Sequence, residues 1–156
     1  MSKWFYANLL LLLVTVWQVM RHSPFTNIHI SVGFIGLLFF LFNWTRQAVF
    51  STIRNTPKRK TKIKLANLSK KIVPFHRWTG TMALIIMIIH AVLAIHRYGF
   101  HLQWHKMSVG LVAGLLLIAM VVSGWLRLFW PSVPKRKWHI YIGMTLFVVI
   151  FIHILL

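Results

Sequence analysis

The sequence predicts one all-α domain, residues 1–156, folded as a membrane-spanning bundle of about five transmembrane helices. Hydrophobic residues make up 58% of the 156 residues, more than a soluble globular domain carries. They form five blocks, most with the roughly 20 residues that a helix needs to cross a bilayer. Because lipid offers the backbone no hydrogen-bond partners, each block should be helical. The predicted spans are residues 4–20, 28–50, 72–95, 107–129 and 138–156.

The first block is the shortest and has two interpretations. Lys3 and the run "LLLLLVTV" resemble the charged and apolar parts of a secretory signal. No small-residue cleavage site follows Met20, so we predict a retained helix. The four later blocks do not have this ambiguity.

Basic residues between the blocks predict the orientation of the bundle. The connection before the last span holds three of them, at residues 135–137. The connections after the first and third spans hold only Arg21, Arg97 and Lys106. Cytoplasmic loops carry the excess of Lys and Arg. We therefore expect the N-terminus and the two basic connections in the cytoplasm. The longest connection, residues 51–71, is basic rather than Gly/Ser-rich and holds Arg54, Lys58, Arg59, Lys60, Lys62, Lys64, Lys70 and Lys71.

The composition excludes several kinds of chemistry. The chain has 18 Lys and Arg but no Asp or Glu, so its side chains cannot build paired-carboxylate catalysis or an oxygen cage for calcium or magnesium. It has no Cys, and hence no disulfide, thiol nucleophile or Cys-bound iron–sulfur cluster. A basic, acid-free chain can bind nucleic acid. Here the basic residues separate apolar blocks, so we expect membrane lipid as a partner and no nucleic acid.

Two stretches of fifteen residues begin and end with histidine. They are "HRWTGTMALIIMIIH", residues 76–90, and "HIYIGMTLFVVIFIH", residues 139–153, and both carry Gly at the fifth place, Gly80 and Gly143. Fourteen residues of helix rise about 21 Å and bring the second histidine to within about 40° of the first. Each stretch therefore places two histidines on one helix face, one near each leaflet.

The third and fifth spans run parallel because one span separates them. If they pack together, His76 faces His139 on the inner side and His90 faces His153 on the outer side. Two facing imidazoles suit a six-coordinate haem, each giving one axial nitrogen to the iron. We predict two haem b groups, with Gly80 and Gly143 removing side chains that would obstruct the macrocycle.

Other interpretations of these residues stay open. A histidine at the edge of a span can be interfacial, a glycine can be a helix contact, and the four histidines can line an ion or proton path. The remaining outer histidines are interfacial or bind a metal ion. Cations near the spans either anchor the bundle or neutralise haem propionates. The histidines are His22, His29, His96, His101 and His105, and the cations are Arg77, Arg127 and Lys137 for the inner haem and Arg21 and Arg97 for the outer haem.

Two longer stretches, "LSKKIVPFHRWTGTMALIIMIIH" and "WHIYIGMTLFVVIFIH", resemble the ferric-reductase-like transmembrane superfamily, which includes NADPH oxidases, metalloreductases and the haem subunit of the bacterial methionine-sulfoxide reductase system. The first stretch is similar to a family segment that has basic residues, then R/H-x-x-G, then a ligand histidine near the end of the span. The second is similar to its W/L-H-x-x-x-Y-type start and closing histidine. The resemblance covers about residues 28–156.

The resemblance implies His76 and His139 as inner-haem ligands and His90 and His153 as outer-haem ligands, in a bacterial cytoplasmic membrane. The sequence departs from the family in having neither a sixth span nor an FAD or NAD(P)H domain. We therefore expect a subunit of a larger redox complex. It would pass electrons from a separate donor protein or a quinol to an acceptor outside. The alternatives are a non-redox structural or assembly subunit, and a transporter or channel with a histidine relay.

Overall fold

A computed structural model describes residues 2–22 and 27–156, except for the side chain of His22, and this part of the chain contains α-helices and no β-strand. All five helices are long and apolar enough to cross a membrane. The prediction of an all-α bundle is confirmed, and the protein is an integral membrane protein by these helices. The helices are α1, Lys3–His22; α2, Ile28–Asn55; α3, Arg59–Tyr98; α4, His105–Phe129; and α5, Val133–Leu155.

The helices extend beyond the predicted spans, most of all α3. It has 40 residues and is therefore about 60 Å long, twice the thickness of the hydrocarbon core. The predicted span 72–95 is its apolar part, and the helix continues through Pro74. Residues 59–71, expected in a connection, form its first turns. Only residues 56–58 separate α2 from α3, so the basic segment is a helix rather than a linker.

Local sequence explains where the other helices begin and end. Gly99 adopts a positive φ of 78°, which suits glycine, and its N–H donates to the Ile95 carbonyl to end α3. At the start of α5 the Ser132 hydroxyl accepts a hydrogen bond from the Lys135 N–H. Pro134 lies in the first turn, where its missing N–H costs nothing.

The five helices form a closed ring in chain order. Each packs against the helix before and after it, and α1 also contacts α5. No Cα atom of α3 lies within 8 Å of a Cα atom of α5. The two histidine-bearing helices therefore face each other across the interior, joined by α4, instead of packing directly.

The side of the interior between α1, α2 and α5 is filled by apolar side chains. The Trp44 and Phe147 rings stack with centroids 4.9 Å apart, and Trp4 meets Trp44 edge-on at 5.7 Å. Leu11 and Leu146 are fully buried. Helix α1 is thus part of the core, and the space for a site lies on the other side, between α2, α3, α4 and α5.

Candidate functional site: two histidine pairs

The first pair, His76 of α3 and His139 of α5, lies at the end of the bundle that carries the basic turns, called here the basic end. The ring centroids are 6.3 Å apart and the ring planes are inclined by 79°. A cavity beside the pair is lined by side chains of α2, α3, α4 and α5. Its lining includes Phe40, Asn43, Gly80, Gly124 and Trp125.

The second pair, His90 and His153, lies at the opposite end. Its ring centroids are 6.4 Å apart and its planes are inclined by 86°. Both predicted facings are confirmed. The two pairs are separated along α3 and α5 by fourteen residues, about 21 Å of helix.

The ring spacing matches two imidazoles on opposite sides of one metal ion. With a metal–nitrogen bond of about 2.0 Å and about 1.2 Å from that nitrogen to the ring centre, two such rings have centres about 6.4 Å apart. The observed separations are 6.3 and 6.4 Å. The same separations are those of edge-to-face ring contacts, so in this structure the two rings of each pair touch edge to face at a spacing that a shared metal ion would also require.

Hydrogen bonds fix the tautomers of the second pair. The Nδ1 atom of His90 lies 2.7 Å from the His29 carbonyl oxygen, and that of His153 lies 3.0 Å from the Lys106 carbonyl oxygen. A carbonyl only accepts, so each Nδ1 carries the proton. Each Nε2 then carries a lone pair, the arrangement that metal-binding histidines adopt.

The first pair is held differently. The Ser123 hydroxyl oxygen lies 2.8 Å from His139 Nδ1 and 2.8 Å from the Met120 carbonyl oxygen. His76 Nδ1 is buried with no hydrogen-bond partner. Within the described part of the chain, none of the four Nε2 atoms has a hydrogen-bond partner. All four nitrogens are therefore available to an external ligand.

The two predicted glycines have different surroundings. A Cβ atom on Gly80 would have only the Asn43 amide nitrogen within 4 Å, at 3.6 Å, and Gly80 lines the cavity. A Cβ atom on Gly143 would lie 3.3 Å from both Met120 and Trp44. Gly80 therefore leaves room beside the first pair, whereas Gly143 permits close packing of side chains.

Three further glycines touch the histidines, and the sequence analysis missed them. A Cβ atom would lie 2.7 Å from His90 at Gly33, 2.9 Å from His153 at Gly110 and 3.4 Å from His139 at Gly124. Gly110 and Gly124 are fourteen residues apart on α4, the same interval as the histidines. This shared interval could have identified Gly110 and Gly124 from the sequence as residues that lie beside the histidines.

Two polar side chains support the pairs from α2. Asn43 is buried and accepts a hydrogen bond from the Thr79 hydroxyl at 2.7 Å, one turn from His76. His29, expected at an interface, is buried beside the second pair, with its ring 6.4 Å from that of His90. Helix α2, whose histidine lies outside the repeated pattern, thus contributes to both sites.

The predicted cations are divided between the two ends. Arg77 lines the cavity at the first pair and stacks on Trp125, with 5.8 Å from guanidinium carbon to ring centroid. Arg127 and a cation that the sequence analysis missed, Arg46, interact electrostatically with His76. Lys137 is exposed.

At the opposite end, Lys106 interacts electrostatically with both histidines of the second pair. The predicted cation Arg97 acts on the neighbouring His29. Arg21 instead stacks on Trp17 within α1, 5.2 Å from guanidinium carbon to ring centroid. Lys106 is thus the predicted outer-side basic residue that acts on both histidines of the second pair.

The outer-loop histidines do not assemble a third site. The His101 ring lies against Trp104, with centroids 4.9 Å apart. Across residues 2–22 and 27–156, no three potential metal-binding side chains converge.

Comparisons with protein-family models, with curated proteins and with solved structures give no match to this chain. What the protein does must therefore be inferred from the chemistry of the two pairs.

Proposed function

We propose that the protein is a transmembrane electron-transfer subunit that binds two haem b groups, one between His76 and His139 and one between His90 and His153. Electrons would pass from a cytoplasmic protein or quinol donor at the basic end to an acceptor on the opposite side. The observation that carries the proposal is that two pairs of histidines face each other with ring centroids 6.3 and 6.4 Å apart, and no Nε2 atom of the four has a hydrogen-bond partner in the described part of the chain.

The residues present fit a haem in three respects. Neutral imidazole nitrogens are suitable axial ligands. Helices α3 and α5 do not pack against each other, although their histidine rings meet, so a group bound between the histidines would lie between these two helices. Glycines Gly80, Gly110 and Gly124 leave the neighbouring helix surfaces without side chains. When bound, a haem supplies reversible one-electron chemistry.

The chain's own residues would position the haems and set their potentials. The Ser123 hydroxyl and the His29 and Lys106 carbonyls hold the imidazoles in one orientation and raise their basicity as ligands. Arg77 and Arg46 at the first pair and Lys106 at the second are positioned to balance the haem carboxylates. The apolar helices exclude water, which also tunes the potential.

The resemblance to the ferric-reductase-like superfamily supports the same assignment and a bacterial cytoplasmic membrane. We propose that the basic end faces the cytoplasm, as positive-inside counting indicates. A structural or assembly subunit, or a histidine relay, would leave the purified protein without a pigment. Absorbance therefore separates these functions.

The test is the visible spectrum of the purified protein before and after dithionite, with haem counted by the pyridine haemochrome method. We expect a sharp b-type α band on reduction and two haems per chain. Protein purified from haem-sufficient cells, folded but colourless, would reject the proposal and favour the structural subunit or the relay.

A further inference from the structure

Three arginine side chains from three parts of the chain lie together at the basic end. Arg127, in the last turn of α4, and Arg136, in the first turns of α5, line one pocket with Ser132. Arg46 of α2 does not line this pocket, but it is near enough to interact electrostatically with both arginines. Its guanidinium carbon lies 5.2 Å from the centroid of the Phe50 ring.

No acidic side chain balances these charges. The whole sequence contains no Asp or Glu. Arg46 is half-buried, and its Nε atom is buried without a hydrogen-bond partner. Neighbouring guanidinium groups repel each other, and an anion that pairs with them relieves this repulsion; with no acidic side chain in the sequence, such an anion would come from outside the chain.

The depth of the pocket indicates which anion is at hand. Trp130 and Trp138 flank the turn between α4 and α5 and are 62% and 66% exposed. Exposed tryptophans at the ends of membrane helices lie at the level of the lipid headgroups. The pocket between them is therefore at the level of lipid phosphates.

The pocket also has the chemistry of a phosphate site. Two guanidinium groups offer planar pairs of N–H donors that match phosphate oxygens. The start of α5, whose Ser132 cap accepts from Lys135 N–H, adds the positive end of a helix dipole. We propose that Arg127 and Arg136 bind the phosphate of an anionic phospholipid. This site does not depend on the haem proposal.

The experiment measures the thermal unfolding midpoint of the purified chain in neutral detergent, with added phosphatidylglycerol or phosphatidylcholine. Native mass spectrometry counts the lipids that stay bound. For the wild type we expect phosphatidylglycerol, but not phosphatidylcholine, to raise the midpoint and to remain bound. In Arg127→Gln/Arg136→Gln its apparent affinity should fall about tenfold or more, as expected for loss of a charged hydrogen bond.

A matched control removes the same charge from the other basic turn. Lys58→Gln/Arg59→Gln should keep the wild-type response, because these residues lie outside the pocket. Arg127→Lys/Arg136→Lys should bind with intermediate affinity, since lysine keeps the charge without the planar pair of donors. Arg136 is exposed, so Arg136→Gln alone provides a well-folded variant in which a weaker lipid response is still expected.

Three results would overturn the site. One is the absence of a phosphatidylglycerol effect on the wild type. Another is an equal loss in the Lys58/Arg59 control, which would mean diffuse surface attraction. The third is loss of porphyrin with an unchanged lipid response in Arg127→Gln/Arg136→Gln, which would assign the pocket to the carboxylates of a haem.

Discussion

The His139 ring is held by the Ser123 hydroxyl and by the Met120 backbone carbonyl. The Ser123 hydroxyl itself also bonds the Met120 carbonyl. Loss of such a supporting partner typically weakens a metal site by about 10- to 100-fold. We predict that Ser123→Ala weakens haem binding at the first pair by that factor and shifts its reduction potential, as measured by haem titration and redox titration.

Ser108 gives the matched control for this substitution. It lies on the same helix, and its hydroxyl bonds only backbone carbonyls. Ser108→Ala should leave the haem between His76 and His139 unchanged. Equal effects of the two substitutions would mean that Ser123 acts through helix stability alone.

Each of the four histidines should be required for one haem and not for the other. We predict that His76→Ala or His139→Ala removes the haem at the basic end, and that His90→Ala or His153→Ala removes the opposite one. Haem content by pyridine haemochrome should fall to about half in each. His101→Ala, outside both pairs, should keep the full content, and full content in a folded variant of any of the four would remove that residue from the ligand set.

At the scale of the helices, α4 places a glycine against one histidine of each pair, Gly124 against His139 and Gly110 against His153. We predict that Gly124→Leu selectively removes the haem at the basic end and that Gly110→Leu removes the opposite one, because the new side chain meets His139 or His153. Overpacking also costs about 1–3 kcal/mol of stability. Redox titration of the purified variants, resolved into two components, measures the loss.

Gly114 on the same helix is the control, since a Cβ atom there meets nothing within 4 Å. Gly114→Leu should keep both haems. Gly80→Leu should behave like Gly124→Leu, whereas Gly143→Leu should destabilise the whole bundle by clashing with Trp44. Retention of both haems in Gly110→Leu and Gly124→Leu would leave the α4 glycines as packing positions only.

The helices and the pairing of the histidines could be predicted because both follow from local periodicity. Apolar length gave the five spans, and a fourteen-residue interval gave His76 and His90 a common face. The side chains that contact the histidine pairs from other helices could not be predicted, because α2 and α4 do not carry the fourteen-residue histidine interval. His29, Asn43 and Ser123 are short polar residues whose partners lie on other helices, and no periodicity along one helix identifies them.

The length of α3 was underestimated for a related reason. Its first turns hold Lys60, Lys62 and Lys64, so hydropathy ends the span near residue 72. Lysine favours helix as readily as leucine does, however, and Pro74 is accommodated. Apolar composition therefore marks the part of the helix inside the membrane, not the whole helix.

The orientation of the whole molecule can be measured because the chain lacks cysteine. We predict that a single cysteine at Asn67, exposed on the basic part of α3, reacts with an impermeant maleimide only after the cells are opened. A cysteine at Gln103, exposed in the turn between α3 and α4, should react in intact cells. The reverse pattern would invert the proposed direction of electron flow.

The basic end of the molecule also predicts how a protein donor would behave. An acidic donor would be steered toward the first pair, and steering raises association rates and weakens with salt. We predict that Gln at Lys58, Arg59, Lys60, Lys62 and Lys64 slows haem reduction at low salt and flattens its salt dependence in stopped-flow experiments.

The control for that measurement is reduction by dithionite, a small reductant that needs no docking and should give equal rates in both proteins. An unchanged rate with the acidic donor at low salt would exclude this helix as its docking site. Lipid anchoring, at about 1 kcal/mol per basic residue near the surface, would then explain the charge.

The closed ring of helices has a consequence for how the protein is made. Helix α5 carries one histidine of each pair and is inserted after the helix that carries the other. Until α5 takes its place between α4 and α1, both pairs are half-formed and the interior is open along one side. If the pairs hold haems, these can enter sideways through that opening, which α5 then closes. Haem would then bind during membrane insertion. In cells short of haem, bundles in which α5 has not closed the ring would accumulate and would be open to proteases.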